Sequence, residues 1–287
     1  MKNRYNLPDW LVESIQFVRD KYDSGDSDFS TTTLNKPPMI YVLEQQHEVE
    51  QDAADLLPSY TGTMVHDGIE DSLKDSERYV VEERFYRTIH INESPTEKKE
   101  FLIGGQIDLF DRETQLLWDH KNSSIYKFLK GDHDDYVKQH SVNKWIMEGN
   151  GYEVKGARVS GFPSDWKRSD ARYDPNYPQI RFVPLEVELW DEITTMAYIK
   201  QSILDKLYAM QGKIRPCSAK ERWQRPNKYA LMKEGSARAI KLYDSKEEAV
   251  EALKDGYYVE DRPGKAIRCE DWCDVRQWCP NPGPIDE

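Results

Sequence analysis

Apolar residues recur at helical spacing along much of the chain. Trp10, Leu11, Ile15 and Val18 mark an amphipathic helix over residues 8–22, opened by Pro8 near its first turn. The same period predicts a helix over 39–57 ending at Pro58, and a second after Gly62 that carries Thr63, Met64, Val65, His66, Ile69 and Leu73. Two more follow, at 134–150 and 190–211. Between these segments the period falls to two, predicting strands at 79–91, 101–110, 115–120, 155–162 and 180–189. Polar punctuation separates them: a Gly/Ser/Asp linker at 23–30, a polar loop at 31–38 ending in a proline pair, and a Pro-, Asp- and Tyr-rich stretch at 163–179. That last loop is long for a compact domain, which suits a substrate-facing flap or a mobile connection. Near the end, 237–243, 245–254 and 257–261 read as strand, helix and strand, with Ser245 as N-cap and Glu247 and Glu248 in the first turn. Helices interleaved with strands give an α/β core.

The strands at 101–110 and 115–120 flank the polar turn Asp111-Arg112-Glu113-Thr114, forming a hairpin with chemistry on both arms. Asp108 lies on the first, and Asp119 and Lys121 lie two apart beyond the turn, on one face. Carboxylates on adjacent strands supply hard oxygen ligands for a divalent metal, and a nearby lysine can orient water or stabilise phosphoryl charge. Taken alone, the D-x-K pair reads more plainly as a solvated ion pair. On strand 79–91, Glu82 and Glu83 face opposite sides, so at most one reaches such a metal.

The chain has 287 residues, 38% of them hydrophobic and 32% charged, with a mean hydropathy of −0.84. That length supports one good core, or one core and a smaller appendage. No apolar run nears the roughly 20 residues of a membrane span, and MKNRYNLPDW lacks a signal peptide's apolar centre, so the expectation is a cytoplasmic protein without membrane partners. The net charge of −12 argues against simple nucleic-acid binding. It is offset locally by Lys213, Arg215, Lys220, Arg222, Arg225, Lys228, Lys233, Arg238 and Lys241, which outnumber Glu221 and Glu234.

Cys217, Cys269, Cys273 and Cys279 all fall in the last quarter of the chain. In a cytosolic protein a C-x₃-C-x₅-C group with one distant partner points to a metal site rather than to disulfides. Four thiolates suit an iron–sulfur cluster or structural zinc alike.

Gly104-Gly105-Gln106-Ile107-Asp108, a turn, then Asp119-His120-Lys121 resembles the catalytic hairpin of the PD-(D/E)XK nuclease superfamily. Gly62-Thr63-Met64-Val65-His66 resembles the G-T-x-x-H motif of its RecB-like branch, and Thr33-Leu34-Asn35-Lys36-Pro37-Pro38 resembles a segment leading into that branch's catalytic domain in phage nucleases. Gln139 matches the Gln of the branch's Gln-x-x-x-Tyr motif, with Asn143 in place of the tyrosine. One cysteine followed by three resembles the iron–sulfur staple of AddB-type and CRISPR-associated members, although their triplet usually begins C-x₂-C. The resemblance implies a restriction-endonuclease-like core with a mixed central sheet flanked by helices, over 61–212, between a helical region at 1–60 and a cysteine-stapled region at 213–287. His66, Asp108, Asp119 and the His120 carbonyl would hold Mg²⁺ or Mn²⁺. Lys121, Asp108, Asp119, Glu83 and Gln139 would be catalytic, and Cys217, Cys269, Cys273 and Cys279 would hold a [4Fe–4S] cluster, or alternatively Zn²⁺. The implied activity is DNA hydrolysis, by an exonuclease of phage or bacterial recombination, repair or replication, with DNA and a recombination or replication protein as partners. Two readings of other classes stand beside it: a catalytically silent DNA-binding or scaffolding subunit, and a zinc-stapled interaction module.

Overall fold

The computed structural model describes residues 1–21, 25–94 and 97–281. The expected linker at 23–30 and the last residue of the expected first helix fall partly outside this set. In chain order the elements of the first half are α1 (Asp9–Lys21), β1 (Phe29–Ser30), α2 (Thr31–Asn35), α3 (Pro38–Gln46), α4 (Ala53–Leu73), β2 (Tyr79–Ser94), β3 (Glu97–Asp111), β4 (Leu116–Ser123) and α5 (Ile125–Lys130). The second half continues with α6 (Asp134–Gly149), β5 (Gly156–Pro163), α7 (Arg168–Tyr173), β6 (Val183–Val187), α8 (Glu192–Met210), β7 (Lys228–Lys233), β8 (Lys241–Tyr243), α9 (Lys246–Glu251) and β9 (Tyr257–Arg262). No helix among the described residues is long and apolar enough to cross a membrane.

Several local expectations change. The helix expected to stop at Pro58 does not: the break falls earlier, where the Asp52 carboxylate caps α4 by accepting the Ala54 N–H at 3.0 Å. Pro58 sits in the second turn and forfeits a single intrahelical bond, so α4 runs on through Gly62 to Leu73. The polar stretch from Thr31 is helical for five residues because the Ser30 hydroxyl accepts the Thr33 N–H at 3.0 Å. The expected flap contains α7, and the charged stretch after residue 213 contains a strand, β7.

Contacts divide the chain into two compact units, residues 1–36 with 50–205, and residues 37–49 with 206–287. This division differs from boundaries at 60/61 and 212/213. In the first unit, β1 pairs with β3 through Phe29 and Ile103, which ties the N-terminal region to the sheet.

That unit holds a six-stranded mixed sheet, α/β in class and flanked by helices. β3 pairs antiparallel with β2 along one edge, while its other edge is shared by β1 at Ile103–Gly104 and β4 at Leu109–Asp111. β4 leaves β3 after Trp118 and continues parallel to β5, which pairs antiparallel with β6. The sheet therefore forks at residues 105–108 of β3. Ile103, Ile107, Leu117, Ile146, Met147, Ile199 and Ile203 are fully buried in this unit. Gly105 faces α6, where an added methyl would meet Asn143 Oδ1 at 2.7 Å and Ile146 at 3.0 Å. Its lack of a side chain lets α6 lie this close.

The second unit has a three-stranded antiparallel sheet ordered β8-β7-β9, with α9 packed on it. Its other core gathers Met39, Leu43 and Val275, with Ile214, Cys217, Cys273, Trp278 and Cys279 packed around them.

Candidate metal centre

The fork in the sheet is where the chemistry collects. Past Trp118 the β3–β4 ladder has ended, and the Asp108 carboxylate takes its place by accepting the His120 N–H at 2.8 Å. By strand alternation Asp108 lies on the face opposite Gly105, toward α4. There His66 Nε2 stands 3.7 Å from Asp108 Oδ2 and donates to the His120 carbonyl at 3.1 Å, while Nδ1 donates to Glu82 Oε1 at 2.7 Å. Both partners of the ring are acceptors, so both nitrogens are donors in this arrangement. Burial alone pushes this histidine down, but the Glu82 hydrogen bond and the charges of Asp108 and Glu82 outweigh it and raise its pKa to about 9.

His66, Glu82 and Asp108 each offer a donor atom within 4.8 Å of the others, a grouping with the character of a metal site. The His66 imidazole, the Asp108 carboxylate and the adjacent His120 carbonyl are mixed, mainly hard donors that suit Mn²⁺ or Mg²⁺, with Glu82 bonded to the imidazole at Nδ1. The residues present thus fit the metal that the hairpin implies. Glu82 also has φ of 48°, a left-handed conformation rare for such a residue and costing on the order of 1–3 kcal/mol. Gln106 Nε2 holds its second oxygen at 2.7 Å, and Arg84 in turn donates to Gln106 at 2.8 Å.

Asp119 and Lys121 project to the α6 side of β4. Lys121 Nζ lies 2.6 Å from Asp119 Oδ2, and Gln139 Nε2 donates to Asp119 Oδ1 at 2.8 Å. Asp119 is 3% exposed, so this pair is screened little by solvent. Burial opposes the charged form of Asp119, yet the Lys121 ammonium holds its pKa below the usual carboxylate range. Burial likewise works against charged Lys121, and Asp119 and Asp108 overcome it and raise its pKa. Burial, followed by the charge of Asp119, pushes Asp108 up to about 7.

Most of the expected residues converge. His66, Asp108 and the His120 carbonyl meet, and Asp119, Lys121 and Gln139 meet beside them, close enough that the charge of Asp119 acts on Asp108 and that of Asp108 on Lys121. Glu83 does not join them. Its neighbour Glu82 does, because Glu82 stands opposite Asp108, between the pairs Val81–Leu109 and Glu83–Ile107. Asn143 lies in the interface of α6 with Gly105 and accepts a hydrogen bond from the Thr31 hydroxyl at 2.9 Å. His120 was expected through its carbonyl alone; its ring, His140 and Tyr136 are further buried groups near the centre. Among the described residues the His120 and His140 rings have no hydrogen-bond partner at either nitrogen, and burial pushes each down to about 4, with the charge of His66 second for His120. Tyr136, one turn before Gln139, is buried with its ring stacked on His133 at 5.7 Å and Lys127 Nζ 5.3 Å from its centroid.

In the second unit the four thiols line one cavity together with Met39, Leu43 and Val275. All four cysteines are free and half-buried.

No protein-family model matches the chain, and no curated protein matches it. Among solved structures, the crystal structure of SSO0001 aligns with 68% of this chain and 84% of that one, at 18% identity and a TM-score of 0.48. A likeness so distant carries none of the argument.

Proposed function

We propose that this protein is a metal-dependent DNA nuclease with a PD-(D/E)XK core of the RecB-like kind, acting as an exonuclease in phage or bacterial recombination, repair or replication. The observation that carries this reading is the forked hairpin, which sets Asp108 beside His66 and Glu82 and places the Asp119–Lys121 pair against it.

A divalent ion at His66, Asp108, Asp119 and the His120 carbonyl would supply Lewis acidity toward a phosphate oxygen and lower the pKa of bound water. The protein's own groups do the rest. Glu82 fixes the His66 ring through Nδ1 and leaves Nε2 as the ligand atom. Lys121, its ammonium form favoured, acts as a charge and proton donor that holds the attacking water and a non-bridging oxygen, and is not the base. Gln139 keeps Asp119 oriented. Water adds to phosphorus in line with the leaving oxygen; the new P–O bond forms, the bond to the sugar oxygen breaks, the attacking water gives its proton to bulk solvent and the leaving oxygen takes one up from it.

A second metal centre belongs to the same proposal. The four thiols line one shared cavity, and four thiolates are the ligand set of a [4Fe–4S] cluster, in which each iron takes its own thiolate, with structural zinc as the alternative.

Digestion of end-labelled linear DNA, single- and double-stranded, beside closed circles tests the activity with Mg²⁺ or Mn²⁺. Loss of linear DNA while circles survive supports an exonuclease, and no cleavage by folded, metal-supplied protein leaves a silent DNA-binding subunit.

A further inference from the structure

Two connections leave the same end of the sheet. β4 and β5 run parallel, with Lys121 beside Gly161 and Ser123 beside Pro163. Past Ser123 the chain turns into α5, and past Pro163 into the segment that carries α7. The two are tied where they start: the Ser123 carbonyl accepts the Ser164 N–H at 2.9 Å, and Asp165 Oδ1 accepts the Ile125 N–H at 2.7 Å. In open α/β sheets ligands collect outside the carboxyl ends of the strands. Ser123, at that end of β4, lies two residues beyond Lys121, about 7 Å along the strand.

The segment after β5 is folded on itself. Trp166 Nε1 donates to the Pro178 carbonyl at 2.7 Å, the Lys167 N–H to the Tyr177 hydroxyl at 3.0 Å, and Arg181 Nε to the Pro163 carbonyl at 3.0 Å. What it turns outward is charge and aromatic surface. Lys130 of α5 and Lys167, Arg168 and Arg172 are exposed, and their side chains have no ion-pair or hydrogen-bond partner among the described residues. Arg168 and Arg172 stand one helical turn apart, a like-charge spacing that opposes α7 unless an anion binds there. The carboxylates of the segment are occupied elsewhere: Asp165 with the Ile125 N–H, Asp170 with the Ser169 hydroxyl at 3.0 Å and Asp174 with the Asn176 N–H at 2.9 Å. Beside these cations, Tyr126 on α5 is 66% exposed and Tyr173 on α7 is 81% exposed. In a chain with a net charge of −12, unpaired cations interleaved with bare tyrosines at the end of the strand that carries Lys121 match a polyanion with flat apolar faces.

We propose that α5 and the α7 segment form a platform that grips single-stranded DNA leading into the metal centre, with Lys130, Lys167, Arg168 and Arg172 on its phosphates and Tyr126 and Tyr173 stacked on its bases. This rests on the nuclease reading above and names its substrate as a single strand. A duplex shows protein only the edges of its bases, whereas an unpaired strand offers their faces to exposed tyrosines. These six residues bind the strand and take no part in the chemical step.

The test measures binding by the full chain with Ca²⁺ as the divalent ion, using fluorescence anisotropy of a labelled oligothymidine strand and of a labelled duplex across a salt series, with the DNA checked on gels to be intact. All the side chains changed are exposed, and melting curves confirm that each variant is folded. The combined variant Lys167→Gln, Arg168→Gln, Arg172→Gln should bind the single strand at least tenfold more weakly. Its plot of log affinity against log salt should be shallower by about 2, since each phosphate contact of a single strand carries roughly 0.7. Tyr173→Ala should cost about fivefold or more, and Tyr173→Phe, which keeps the ring, should bind as the wild type does. Lys155→Gln, exposed just before β5 at the other end of that strand, should change nothing. Wild-type affinity and salt slope in the combined variant, where the wild type still cuts DNA, overturn this inference and leave the nuclease reading standing. A wild type that prefers the duplex, or a Tyr173→Phe loss as large as that of Tyr173→Ala, overturns the single-strand platform. Wild-type protein that neither binds nor cuts either DNA overturns both readings together.

Discussion

Glu82 Oε1 and His66 Nδ1 are 2.7 Å apart, and this contact decides which nitrogen of His66 is left to face Asp108. A carboxylate behind a ligating imidazole fixes its tautomer and orientation, and losing such a partner commonly costs 10–100-fold in metal affinity. Glu82→Gln should therefore weaken Mn²⁺ binding by roughly that factor, while Glu83→Gln should leave it unchanged. Calorimetric titration of both variants checks this, and equal effects would show that the register does not select the glutamate.

Gly105→Ala should destabilise the first unit by about 1–3 kcal/mol, because the new methyl overpacks the α6 interface. Asn143→Ala removes the atom met at 2.7 Å, so the double variant should recover part of the loss. Urea unfolding of the four members of this cycle gives the answer. Simple additivity would mean that Asn143 is not what Gly105 accommodates.

His140 is fully buried, and burial pushes its pKa to about 4. The unfolded chain takes up that proton near pH 6.5, so the folded state binds fewer protons between the two values. Stability from neutral His140 is present above about pH 6.5 and is lost as pH falls toward 4, a change on the order of 3 kcal/mol at the low end. His140→Leu should flatten melting temperature against pH in this window. A profile as steep as the wild type's would assign the acid sensitivity elsewhere.

Metal removal should act locally. If the four cysteines close residues 37–49 and 206–281 around a cluster, stripping iron should raise amide exchange there before it does so in the sheet of β1–β6. Uniform loss of protection would argue against a staple.

Much of the centre was legible in the sequence because its chemistry lies close together there. The Asp119–Lys121 spacing fixes a shared face by strand geometry alone, and His66 follows from a short motif on one helix. What was hidden depends on pairing. Glu82 and Glu83 are equivalent until the β2–β3 register places one opposite Asp108, and the fork exists because β4 stops pairing with β3 after Trp118 while its pairing with β5 runs on to Ser123, which no local pattern encodes. Pro58 misled because proline near a helix start costs little, whereas the true signal was the modest cap Asp52. The second unit was partly hidden for a different reason: its core joins Met39 and Leu43 to Val275 across more than two hundred residues. β7 was masked by the lysines at both of its ends.

The central claim is that the forked hairpin cuts DNA, and single-turnover cleavage of end-labelled DNA in Mn²⁺ tests it most directly. Wild type is compared with Asp108→Asn and Lys121→Met, each confirmed folded by its melting curve. The account predicts cleavage by the wild type and a loss of roughly 10²–10³-fold or more in both variants, since each removes charge stabilisation aimed at the transition state. Variants that cleave at the wild-type rate would place the activity outside this centre and contradict the account.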